Sequence, residues 1–297
     1  EESLTIAGEQ GAAEIAVDAG SQKILAPMKL SSVTAVPVAT GAALELAGSV
    51  TGGGLAKSGT GALTLSGANL FYGGFSSAAG VVTVRDDEAL SCGTLASVQL
   101  NGGTLTFDAD GEDPMKPVNT PLVVAATAAT TVVFNVAHDV ELDDFSMTGG
   151  AFFKRGAGAM TVNVAAERPM TWTGTTATPN QDISNQGANG PWSFPEDGSA
   201  PSGGVNKGGF NVSEGKVEFL GIGTGAKLTL NETLTVGGPA RVCAVQPELV
   251  IRNLNVTVSG AGGFWSGSDI GGSYNQVTHP VLRLMDGAVF KSELAST

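Results

Sequence analysis

Between residues 52 and 107 the apolar side chains fall on alternate positions within short segments, and glycine punctuates the intervals: Leu63 and Leu65, Val82 and Val84, Leu105 and Phe107. Alternation with a period of two buries one face of a strand and leaves the other in water. The pattern therefore predicts many short strands separated by turns that carry Gly, Asn and Ser. The same alternation runs through Ala13, Ile15 and Val17, then Ile24, Ala26, Met28 and Leu30, and returns in Leu228, Leu230, Leu234, Val236, Leu249, Ile251, Val256 and Val258. The connections in this last stretch are short enough for corners of a coil or for hairpins. No amphipathic helix longer than two or three turns is predicted. The longest apolar run, residues 121–137, is short for a spanning helix and is diluted by Thr and Asn. Its β-branched content predicts two consecutive buried strands, and no transmembrane segment.

One unit recurs. Lys57-Ser58-Gly59-Thr60-Gly61-Ala62-Leu63-Thr64-Leu65 returns as Lys154-Arg155-Gly156-Ala157-Gly158-Ala159-Met160-Thr161-Val162. A weaker echo, Gly223-Thr224-Gly225-Ala226-Lys227-Leu228-Thr229-Leu230, keeps the glycines and the alternating strand but displaces the lysine. Residues 175–209 break the rhythm with four Pro among many Gly, Asn and Ser, and are read as a long loop insertion within a single 1–297 domain.

Composition narrows the picture. Of 297 residues, 43 are Gly, and charged residues make up 14%, well below the ~25% of ordinary globular chains. The formal net charge of -13, with 15 Lys plus Arg, disfavours nucleic acid and anionic membrane surfaces as partners. Low charge density combined with this apolar content favours a folded chain over a disordered one. Cys92 and Cys243 are two residues far apart, better suited to independent, partly buried thiols than to a disulfide framework. Glu1-Glu2-Ser3 opens the sequence without the apolar core of a signal peptide, as expected of a mature, trimmed or cytosolic chain.

With these residues in view, the segment 53–84 resembles the autotransporter-associated β-strand repeat of bacterial surface proteins. The likeness is carried by Gly53-Gly54-Leu55, Lys57-Ser58-Gly59, Gly61, the run Leu63-Thr64-Leu65-Ser66-Gly67-Ala68-Asn69, Tyr72-Gly73-Gly74, Gly80 and Val82-Thr83-Val84. It covers that unit well, the unit around Lys154 in part, and the last third loosely. The resemblance implies an all-β, right-handed parallel β-helix. It also implies a passenger-like domain, secreted or displayed at the outer surface of a Gram-negative-type bacterium. No segment resembles a membrane-embedded translocator barrel.

Candidate chemistry is sparse. The two histidines, His138 and His279, have no nucleophile motif around them, and no G-x-S-x-G elbow is present. Asp108, Asp110 and Asp113 cluster around Gly111, carboxylates beside a turn glycine of the kind calcium takes, but the EF-hand positions for Gly and Glu hold Asp113 and Asn119. A solvated acidic turn is the expectation, with no cofactor. Parallel β-helices also include polysaccharide lyases and glycosidases, which need clustered carboxylates that this chain does not present as a motif. Trp172, Trp192, Trp265 and Tyr274 sit in polar, small-residue contexts and are the candidates for contact with glycans or with host or matrix proteins. Asn211, Asn231 and Asn255 satisfy N-x-[ST], a match that arises easily in a Thr-rich chain. The expected function is a non-enzymatic structural or adhesive protein, with a carbohydrate-binding module or a polysaccharide-active enzyme as the alternative and self-association through the coil ends as a further expectation.

Overall fold

The computed structural model describes residues 3–8, 13–109, 111–125, 130–173, 209–212, 214–231, 234–236, 248–258, 264–266 and 281–292. Among these residues the regular structure is all strand, and every pairing between strands is parallel. Each strand pairs with one reached only after two other segments have intervened, two strands in most of the chain and one strand plus the single-residue bridge at Cys92 or Met115 between Phe75 and Val136. The choice left open for the last third, between corners and hairpins, falls against hairpins: Leu228 lies beside Val256 and Met170, in a parallel register.

Three stacks result. The longest is a ten-stranded sheet through Ser21–Ile24, Ala43–Leu46, Ala62–Leu65, Val81–Val84, Gly103–Phe107, Thr131–Val136, Ala151–Arg155, Gly209–Val212, Leu234–Val236 and Phe264–Ser266. A seven-stranded sheet from Ala13–Glu14 to Phe145–Gly149 adjoins a four-stranded sheet that starts at Met170–Trp172, where the Thr173 amide donates to the Met147 carbonyl at 2.9 Å. A four-stranded sheet from Leu4–Ile6 to Leu70–Phe71 leads toward the five-stranded sheet that begins at Val140–Leu142. Isolated parallel bridges lie along the way, Phe71 with Cys92 and Met115 with Val140.

Register explains why the alternating residues matter. Leu44, Leu63, Val82, Leu105 and Phe134 are successive partners across the long sheet, and all are buried. The same holds for Leu46, Leu65, Val84, Phe107 and Val136. In-register stacking places like residues against like, so one apolar column is extended at each step. Midway along, the column becomes aromatic. Phe134 packs on Phe152 at 4.8 Å between ring centroids, and Phe152 stacks on Phe210 at 4.7 Å. The two strands expected within residues 121–137 are Leu122–Ala125 and Thr131–Val136. Of the expected insertion, residues 175–208 lie outside the described residues, and Gly209 opens a strand.

The repeat has a physical meaning that its sequence conceals. Lys57 and Lys154 are buried, at 2% and 0% exposure. The Lys57 ammonium donates to the carbonyls of Ser58 at 3.3 Å, Gly59 at 2.5 Å and Ala79 at 2.8 Å. Lys154 donates to Gly156 at 2.6 Å, Gly158 at 2.6 Å and Glu214 at 2.8 Å. Each lysine thus ties its own turn to the turn stacked above it, and its three N–H groups meet three acceptors. The residue after that third acceptor is glycine in both units, Gly80 and Gly215. Both have positive φ, and a Cβ on either would run into the ammonium. Burial pushes both lysines down to about 8, and at Lys154 the charges of Glu214 and Asp139 oppose the shift.

The copies do not occupy equivalent places. The Lys57 unit links the seven-stranded sheet to the long sheet, and the Lys154 unit links the long sheet to the five-stranded one. The echo at Gly223 links Lys216–Ile222 of the five-stranded sheet to Lys227–Leu230 of the second four-stranded sheet. The motif builds a corner, and three different corners use it. Lys154→Met keeps the apolar stem but removes the donors, leaving buried carbonyls without partners. A loss on the order of 2–3 kcal/mol in urea unfolding is expected, with amide exchange rising first around residues 154–158 and 214–216. Unchanged stability would contradict the staple.

Candidate functional site

The corner turns that follow Leu70–Phe71 stack into an open groove of about 820 Å³, lined among others by Tyr72, Gly93, Thr94, Lys116, Asn119 and Asp144. Backbone bonds hold its steps together. The Phe71 amide donates to Ser91 O at 2.9 Å, Cys92 N to Asn119 O at 2.9 Å, and Leu122 N to Asp144 O at 2.9 Å. Asn119 takes a φ of 50° in its turn, a conformation that Asn tolerates better than most residues. Leu70, Pro117, Val118 and Pro121 supply apolar surface within the groove.

Tyr72 is 65% exposed, yet its ring is placed. A Cβ on Gly93 would lie 3.0 Å from Tyr72 Cδ1, so the ring rests against the glycine backbone. On the other side, the Lys116 ammonium pairs with Glu141 Oε2 at 2.8 Å. The Asn163 amide donates to Glu141 Oε1 at 2.9 Å and to Asp143 Oδ1 at 2.6 Å. Lys116 and Asn163 hold the Glu141 carboxyl below the ordinary carboxylate range, and Glu141 in turn raises Lys116. Cys92 lines the groove but is buried; desolvation pushes its thiol up to about 11, which leaves it protonated and a weak nucleophile at neutral pH.

No protein-family model, curated protein or solved structure matches this chain. No helix among the described residues is long and apolar enough to cross a membrane.

The structure separates the residues singled out in the sequence. Trp172, expected as a ligand contact, is instead 2% exposed, with its ring centroid 4.8 Å from Phe145, 5.5 Å from Phe210 and 5.7 Å from Phe219. Its place as an inward position of Met170–Trp172 explains the correction. Trp265 lies on Phe264–Ser266, where it pairs with Thr235. Trp192, Tyr274, Asp110, Cys243 and His279 lie outside the described residues. Asp108 faces Arg85 at 3.4 Å, and the Asp113 carbonyl meets His138 Nε2 at 2.7 Å. Among the described residues, no three His, Cys, Asp or Glu side chains gather as a metal site. Asn211 is buried and donates to Phe152 O at 3.0 Å, so its sequon is closed to a glycan.

Sequence reasoning missed the groove because its residues belong to four separate turns. The available signal was Tyr72 itself, an aromatic residue in a turn, next to two glycines and outside the alternating pattern.

The ion-paired wall gives a pH dependence. Because the folded Glu141 pKa lies below its ordinary value of 4.5, its contribution is present above that value and lost as pH falls through the folded one. Glu141→Gln should therefore lower stability at pH 7, and the gap from the unsubstituted chain should close on acidification. A pH-independent difference in unfolding midpoints would contradict this pairing.

Proposed function

We propose that this chain is a right-handed parallel β-helix that serves as a non-enzymatic structural or adhesive segment of an exported bacterial surface protein. The observation that carries the reading is the pairing rule: parallel strands, each joined to one three segments away, with a single apolar interior extended from step to step. Chains stacked in this way spread their stability along the axis and display a column of turns outside. The likeness of residues 53–84 to the autotransporter-associated repeat supports the surface setting.

Adhesion is favoured over catalysis by the way polar groups are used. The two lysines pushed toward neutral pKa donate into backbone carbonyls at corners, away from the groove. The Lys116 wall is locked by Glu141 and Asn163. These arrangements hold a surface in shape. A calcium requirement is not part of the proposal.

The test is made on the purified chain over surfaces coated with polysaccharide or extracellular-matrix protein. Saturable attachment without release of oligosaccharide, and labelling of intact cells by antibody against the chain, are the expected results. Turnover of polysaccharide, or antibody access only after lysis, would overturn the reading.

A further inference from the structure

We infer that the groove at Tyr72 is a binding site for a neutral glycan, taken up along the axis of the stacked turns. This rests on the adhesive reading above and names the ligand class and the site.

Three observations carry it. First, Tyr72 offers a largely exposed ring whose orientation is set by Gly93 behind it. A ring backed by flat backbone is suited to packing on the C–H face of a pyranose, where apolar contact and polar edges meet on one ligand. Second, among the described residues the Tyr72 and Thr94 hydroxyls, the Asn119 amide and the Asp144 carboxylate line the groove without protein hydrogen-bond partners. They present donors and acceptors beside the apolar surface of Val118, Pro117 and Pro121, the mixture that orients a small ligand in a cleft. Third, these groups stand on successive steps of the stack. Neighbouring strands are ~4.8 Å apart, so the four turns bearing Tyr72, Thr94, Asn119 and Asp144 span roughly 14 Å. That length suits a short oligosaccharide lying along the stack.

Charge and backbone geometry select the class. The cation in the groove, Lys116, is taken by Glu141, whereas Asp144 is open, so uronate or sulfated chains would meet repulsion. A peptide adding as a strand needs unpaired backbone. Here the Phe71, Cys92, Gly93 and Leu122 amides already bond to neighbouring turns.

The decisive experiment presents the full chain to immobilised neutral oligosaccharides (glucose, galactose and N-acetylglucosamine oligomers), to uronate and sulfated oligosaccharides, and to unstructured peptides. Binding to at least one neutral series is expected. Tyr72→Ala and Asp144→Asn should each weaken it by about tenfold or more, and Gly93→Val, which displaces the ring, should weaken it too. Ser76→Ala, on the neighbouring sheet, should leave it unchanged. Both Tyr72 and Asp144 are exposed, so circular dichroism should show their variants folded. Neutral-glycan binding insensitive to Tyr72→Ala, binding confined to anionic glycans or peptides, or no glycan binding by a chain that still adheres to protein-coated surfaces would each overturn the site while leaving the adhesive reading intact. Loss of all adhesion would defeat both.

Discussion

The structure depends on one constraint: each short strand must lie in register, at strand-to-strand distance, on the strand three segments before it. That spacing of ~4.8 Å applies to the corners as well as to the strands. At corners the carbonyls turn away from the regular ladder and crowd one another. The chain meets this in two ways. Glycine removes the side chain where backbones approach, as at Gly80 and Gly215, and a lysine ammonium collects the carbonyls. A buried charge is costly to desolvate, and here the cost is offset by three acceptors drawn from two stacked turns. The lysine therefore acts between steps of the stack, where a strand hydrogen bond would otherwise be missing.

Much of this was legible in the sequence. Alternation located the inward residues, since Leu63, Leu65, Val82, Val84, Leu105 and Phe107 are all buried. It could not choose parallel pairing over hairpins, because a strand's inward face looks the same in both. The repeat was legible as a recurrence but not as a geometry. Lys57 and Lys154 align in sequence although one lies on the seven-stranded sheet and the other on the long sheet. A lysine followed two positions later by glycine carries no sign of burial in the sequence, and only stacking reveals that the charge is inside.

The candidate site was the least legible part. Tryptophan in a Thr-rich context suggests an exposed ring, yet Trp172 falls at an inward register and joins the aromatic column that begins at Phe107. In the sequence Tyr72 is one more repeat position, and its neighbours in space, Gly93, Asn119 and Asp144, lie 21 to 72 residues further on. Turns that are distant in sequence become adjacent because the strands beneath them stack. The same rule that fills the interior therefore assembles the exterior, and the groove, the Lys116–Glu141–Asn163–Asp143 wall and the buried lysines all follow from it.

The most direct test of that rule is disulfide trapping in a chain carrying Cys92→Ser and Cys243→Ser. Ala56 and Ser76 are register partners, and Gln99 is the next partner beyond Ser76. Cysteines at 56 and 76 should oxidise to a disulfide, since neighbouring strands lie within the Cα range that the bond accepts, whereas cysteines at 56 and 99, two steps apart at ~9.6 Å, should remain reduced. Efficient trapping of the 56–99 pair, or failure of the 56–76 pair, would contradict the stacked register on which the whole account stands.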